Sequence, residues 1–223
     1  MKTIVCYGDS NTWGFMPKEE FPDWTHNRFD FDARWTGILQ RALGPEYRVE
    51  EEGLNGRTTM FDDVLDERRN GLKYIDTCML TKMPVDLVIL MLGTNDVKEH
   101  FCATAYLIAR GVGRLVERIR AGGYGPGGKP PEILVMAPAH LGKGIADAWP
   151  GQEFGANCLE KDARLAGLYA NLAKENGLHF LNAAEVAEVS PDDCVHLSAE
   201  AHQRLGARVA EEARRILGWG NTA

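Results

Sequence analysis

Five short strand-like runs, most of them apolar, separated by longer segments of helical period, constrain this chain more than any other feature. The runs are residues 3–7, 47–51, 87–92, 133–137 and 179–181. Alternation of this kind is the pattern of an α/β fold built on a largely parallel sheet. Between the runs, residues 33–43 set Trp35, Ile38, Leu39 and Ala42 on one stripe. Residues 105–121 do the same with Ile108, Val112, Leu115 and Ile119. The last helix carries a start signal: Ser198 can cap it, Glu200 brings negative charge to its N-terminal dipole, and Leu205, Val209 and Ile216 supply a face to bury. Residues 122–128, rich in glycine, read as a turn before the fourth strand.

With 223 residues the chain suits one domain, residues 1–223, with a core that needs no disulfides. The formal charge of -7 opposes a broad electrostatic grip on nucleic acid or on an anionic membrane, both of which need clustered positive charge. An uncharged or cationic small substrate fits better. No apolar run approaches the roughly 18 residues that span a bilayer, and Asp9 interrupts the N-terminal run too early for a signal peptide. The expected location is cytoplasmic. Five scattered cysteines, odd in number, read as reduced thiols; Cys194 is an alternative nucleophile that no local histidine pattern favours over serine.

Three of the runs lead into segments with chemical content. The first ends in Gly8-Asp9-Ser10-Asn11, which presents a serine where ligands bind in parallel sheets, beyond the carboxyl ends of strands. Such a turn can be only a turn, a cradle for phosphate, or the seat of a nucleophile. The second run leads to Gly53-Leu54-Asn55-Gly56-Arg57-Thr58-Thr59. Gly56 there either serves a positive φ or offers its amide to a substrate. The third ends in Gly93-Thr94-Asn95-Asp96, where Asn95 is either an Asx-turn residue or a neutral donor to an oxyanion. Near the C-terminus, Asp193-Cys194-Val195-His196 places an acid three residues before a histidine. That spacing can hold one ring nitrogen and leave the other free for a serine. The remaining histidines lack a ligand-like arrangement, and no metal or other cofactor is expected. Together the four segments supply a nucleophile, a base, an orienting acid and oxyanion donors, the inventory of covalent acyl transfer.

These segments, in this order, resemble the blocks of the SGNH hydrolase superfamily, also called the GDSL esterase/lipase family, over nearly the whole chain. Asn11 stands where the first block usually has leucine. The stretches Glu51-Glu52-Gly53-Leu54-Asn55-Gly56-Arg57-Thr58-Thr59 and Met91-Leu92-Gly93-Thr94-Asn95-Asp96 resemble its bacterial arylesterase/acyltransferase branch. That branch often carries a small residue with a methyl group where this chain has Gly56. The resemblance implies a three-layer α/β/α sandwich with a five-stranded parallel sheet in the flavodoxin-like order 2-1-3-4-5. It implies a serine esterase for small esters with Ser10 as nucleophile, His196 as base and Asp193 as its orienter. Asp192 is then a solvated neighbour.

The implied oxyanion donors are the Ser10 amide, the Gly56 amide and Asn95, with Trp13 and Asn55 as candidate substrate contacts. An alcohol acyl acceptor and a homo-oligomer are further implications. A carbohydrate O-acetyl esterase on the same site is the alternative substrate reading, and a non-catalytic binding module the alternative class. Two long connections, residues 13–31 and 138–154, carry Trp13, Phe15, Phe21, Trp24, Trp149 and Phe154. These aromatics either wall an apolar entrance over Ser10 or pack into the core or a subunit interface.

Overall fold

In a computed structural model of the chain, which describes residues 1–17 and 26–218, each of the five runs forms a strand and all five strands join one parallel sheet. Along the chain come β1 (Lys2–Gly8), α1 (Ser10–Trp13), α2 (Trp35–Leu43), β2 (Tyr47–Gly53), α3 (Gly71–Lys82) and β3 (Leu87–Met91). There follow α4 (Ala105–Gly122), β4 (Glu132–Ala137), α5 (Gly151–Phe154), α6 (Cys158–Asn176), β5 (His179–Asn182) and α7 (Ala199–Leu217). The strand order is β2-β1-β3-β4-β5, as the resemblance implies.

Alternate residues of each strand serve opposite faces, because strand side chains have a period of two. Ile4, Cys6, Leu87, Ile89, Leu134 and Met136 pack against α2 and α7. Val5, Tyr7, Val88, Leu90, Ile133 and Val135 pack against α3, α4 and α6. The result is a three-layer sandwich with two cores.

The helix expected over residues 33–43 contains its whole stripe but starts two residues later: α2 begins at Trp35, preceded by a 3-10 turn at Phe31–Ala33. Arg34 is extended at the break, where its guanidinium meets Glu51 at 3.0 Å. Ser198 caps α7 by accepting from the Ala201 amide. The segment at 122–128 contains a 3-10 turn, Pro126–Gly128. No helix among the described residues is long and apolar enough to cross a membrane.

What matters for the site is the register. Gly8 at the end of β1 lies opposite Gly53 of β2 and Met91 of β3. The residues that follow these three ends therefore leave the sheet side by side, at the switch in strand order where open α/β sheets bind ligands.

Candidate active site

Ser10 opens α1, directly after β1. The preceding Asp9 caps the turn by accepting from the Asn11 amide at 3.0 Å. Gly8 is required here for close approach: a Cβ would stand 2.1 Å from Thr12 Oγ1 and 2.9 Å from the Met91 carbonyl. Ser10 Oγ lies 3.0 Å from His196 Nε2, and His196 Nδ1 lies 2.7 Å from Asp193 Oδ2. Asp193 is 0% exposed, and its Oδ1 takes the backbone N–H groups of Val195 and His196 at 2.9 and 2.8 Å. This network holds the ring with its proton on Nδ1, so that Nε2 is free to accept from the serine. The neighbouring Asp192 is exposed and bonds only locally, to Ser190. Cys194 is buried with its thiol pushed up by desolvation, the opposite of what a nucleophilic thiolate needs.

Gly56 adopts φ +79°, so its positive φ and its place beside the serine are both facts of this loop. Asn95 Nδ2 donates one hydrogen to the Arg57 carbonyl at 3.2 Å, which leaves its second hydrogen for another acceptor. Neither the Ser10 nor the Gly56 amide has a hydrogen-bond partner among the described residues. Ser10, Asn55, Gly56, Asn95 and His196 all line one cavity of about 210 Å³. Its remaining wall includes Phe15, Leu65, Arg69, Lys98, Trp149 and Phe154.

Asn55 thus lines this cavity, whereas Trp13 does not. The Trp13 ring is covered by the Arg28 guanidinium, 4.7 Å from its centroid, and it lines a separate surface hollow. The structure turns Trp13 to that hollow and not to the cavity beside Ser10, which adjacency in sequence does not reveal. Of the other aromatics, Phe15, Trp149 and Phe154 reach the cavity. Phe21 and Trp24 lie outside the described residues.

Two sets of residues gain parts here that their sequence context does not disclose. Asn11 spans the site: its Nδ2 donates to the Val195 carbonyl at 3.1 Å, and its Oδ1 accepts from the Leu197 amide at 3.0 Å. It fastens the His196 loop to the serine turn. Behind the Ser10 turn and the Asn95 loop, Asp9 and Asp96 are both buried. Burial pushes the Asp9 carboxyl up to about 6 and the Asp96 carboxyl up to about 7, the latter aided by the charge of Asp9. Asp96 Oδ1 accepts from the Thr59 amide at 2.9 Å and so ties the Gly56 loop to the Asn95 loop. Among the described residues, no group of three His, Cys, Asp or Glu side chains could hold a metal ion.

The sequence model of the GDSL-like lipase/acylhydrolase family matches residues 6–204. Among solved structures, the chain is similar to the native aryl esterase of M. smegmatis, with 38% identity over 97% of this chain and 100% of that one, at a TM-score of 0.90. It is also similar to Est24, a carbohydrate acetylesterase from Sinorhizobium meliloti, with 39% identity over 97% and 100% of the two chains, at a TM-score of 0.88. A lipase/acylhydrolase from Enterococcus faecalis shares the fold at 18% identity, over 96% of each chain, with a TM-score of 0.67. No curated protein sequence matches the chain significantly. The chain belongs to the GDSL-like lipase/acylhydrolase family and is a carboxylic ester hydrolase.

Proposed function

We propose that the chain cleaves small carboxylic esters through an acyl intermediate on Ser10. The observation that carries this reading is the Ser10–His196–Asp193 chain of contacts, at 3.0 and 2.7 Å, opening on a cavity with unpartnered amides. In the proposed sequence, Ser10 Oγ attacks the ester carbonyl while His196 Nε2 takes its proton. The negative charge forms on the carbonyl oxygen against the Ser10 amide, the Gly56 amide and Asn95 Nδ2. Collapse expels the alcohol, which His196 protonates, and leaves acyl-Ser10. His196 then draws a proton from water, whose oxygen attacks the acyl carbon, and the acid is freed as the bond to Ser10 Oγ breaks and His196 returns the proton to Oγ. An alcohol in place of water gives a new ester, and Phe15, Trp149 and Phe154 provide an apolar wall that favours an organic acceptor.

A cavity of about 210 Å³ lies below the roughly 300–1,000 Å³ of drug-sized sites, which supports small esters. A carbohydrate O-acetyl substrate is favoured by a second observation: Asn55, Arg69, Lys98 and Glu153 give the cavity a polar wall near Trp149, which can stack on a sugar face. A homo-oligomer is supported by Val64 and Leu65, exposed at 89% and 73% beside the cavity mouth.

The test is labelling with a fluorophosphonate probe together with hydrolysis of an aryl acetate, in the parent protein and in Ser10→Ala. Labelling and turnover should both vanish in the variant, with a loss of several orders of magnitude in kcat. Near-parent activity in folded Ser10→Ala would refute the proposal.

A further inference from the structure

Of the charged side chains that line the cavity and have no task in the acyl-transfer sequence above, Arg69 is the one beside Gly56. Arg69 closes the 3-10 turn Glu67–Arg69 before α3, and its side chain reaches the wall shared by Ser10, Gly56 and Asn95. There it rests on Gly56. A Cβ added to Gly56 would stand 2.6 Å from Arg69 Nε, 2.8 Å from Cδ and 2.9 Å from Cζ, all inside the 3.4–4 Å of ordinary contact. The room left by the missing side chain of residue 56 is therefore filled by the end of Arg69, which would have to shift to admit a methyl group.

Arg69 is anchored from behind. Its Nη1 donates to Asp63 Oδ2 at 2.8 Å, and the Asp63 side chain is 1% exposed. The Asp66 carboxylate stands 3.8 Å from Nε. Asp63 is itself held by the Leu65 amide at 2.9 Å, with His100 Nε2 3.8 Å away. Burial raises the Asp63 carboxyl, but the Leu65 amide and Arg69 outweigh it and hold the group below the usual carboxylate range. Arg69 lines the cavity and Asp63 does not, so the ion pair is an oriented dipole with its positive end at the reacting centre. Fixed dipoles of this sense stabilise charge that develops in a transition state without having to reorganise.

We propose that Arg69 is a positioning residue of the acyl-transfer centre: seated in the room that Gly56 leaves, its guanidinium holds the Gly56 peptide in place and adds fixed positive charge behind the oxyanion. The proposal rests on Ser10 as nucleophile and Gly56 as donor. No proton moves to or from Arg69. The glycine, which could be read as loosening this loop, is what admits the group that stiffens it.

The test measures kcat, KM and melting temperature for the full-length parent, Arg69→Ala, Arg69→Lys, Gly56→Ala and the Gly56→Ala/Arg69→Ala double variant, on an aryl acetate. Arg69→Ala should lower kcat by about 10–100-fold with KM changed less than about threefold, the signature of an interaction made in the transition state. Arg69→Lys, which keeps the charge, should recover part of that loss. Gly56→Ala should expel the guanidinium, and the double variant should fall no more than about twofold below the weaker single, because contacting residues acting as one unit are not additive.

Arg69→Ala with a kcat within about twofold of the parent, even with a lowered melting temperature, would overturn the proposal, as would multiplicative losses in the double variant. If Gly56→Ala fails to fold, the comparison of Arg69→Ala with Arg69→Lys decides alone. Failure of fluorophosphonate labelling in the parent would refute the reading of Ser10 and this proposal with it. A labelled, active parent with an unchanged Arg69→Ala refutes only the role of Arg69.

Discussion

Asn95 carries two loads that a single substitution separates. One Nδ2 hydrogen goes to the Arg57 carbonyl and the other is available to the oxyanion. Asn95→Ala removes one of three proposed donors, and loss of one such donor costs about 10²–10³ in kcat, or about 2.7–4 kcal/mol. It also strips the Arg57 carbonyl, in a buried residue, of its amide partner. An orphaned buried acceptor costs about 1–3 kcal/mol. The bond it loses is 3.2 Å, at the long end of the usual range, which places the cost near the lower bound. For a chain of this size about 1 kcal/mol lowers Tm by about 2–4 °C. The expected outcome is a small fall in Tm and a large fall in kcat with KM nearly unchanged, read by thermal melting and by steady-state hydrolysis of an aryl acetate. A change confined to KM would refute the oxyanion role. A kcat within about fivefold of the parent beside a lowered Tm would assign Asn95 to the structure alone, because one lost donor should cost far more.

Asp193→Asn should reduce kcat by about 10⁴, since an amide at that position stabilises the wrong tautomer of His196, while Asp192→Asn should leave activity nearly intact; equal losses would count against Asp193 as orienter. For acyl transfer, a vinyl ester supplied with a dilute primary alcohol should give a ratio of new ester to free acid above the alcohol-to-water ratio. A ratio no higher would dismiss the alcohol preference. Asp96, with a folded carboxyl near 7 against an ordinary 3.8, contributes stability that is complete below about pH 4 and lost as pH rises through 7. Asp96→Asn should therefore gain in Tm relative to the parent as pH rises from 5 to 8, and a pH-independent difference would show that the carboxyl holds no proton there. His202, pushed down to about 3 chiefly by burial, acts in the opposite sense: the parent should lose stability as pH falls from about 6.5 towards 3, and His202→Gln should flatten that limb of the curve.

β1, β3 and β4 were legible because they are buried on both faces and so read as apolar runs, whereas the edge strands β2 and β5 are mostly half-buried and carry polar residues such as Arg48, Glu50, Glu51 and His179. The helices were legible in proportion to their contrast. In α4, Ile108, Val112, Leu115 and Ile119 are all buried, as their spacing predicts. In α3, Tyr74 and Leu80 are exposed among few buried apolar residues, and the stripe is blurred. In α6 the buried face includes Asp162, which accepts from the Leu141 amide and meets His140 at 2.8 Å. A charged residue on the inner face hides such a helix from periodicity. At the site, Ser10, Asn55, Gly56, Asn95, Asp193 and His196 converge because each follows a recognisable turn. Trp13 illustrates the limit. Which way a side chain leaves a one-turn helix depends on what covers it, here Arg28.

A parallel sheet explains why three of the four segments need nothing more than their place in the sequence. Gly8, Gly53 and Met91 are aligned by the ladder, so Ser10, Gly56 and Asn95 emerge within a few residues of a common line. The fourth segment has no such guide. It follows β5, which lies three strand spacings from β1, or about 14 Å at roughly 4.8 Å each. Residues 183–197 must carry His196 back across that distance, and the protein fixes the end of the return with contacts that no ladder supplies. Val189 bridges Leu197, the Ser190 amide donates to the His196 carbonyl at 2.7 Å, and Asn11 grips the chain on both sides of His196. Position of Ser10, Gly56 and Asn95 is thus a property of the sheet, whereas position of His196 is a property of a few polar side chains. Asn11, on the same turn as Ser10, ties the two together.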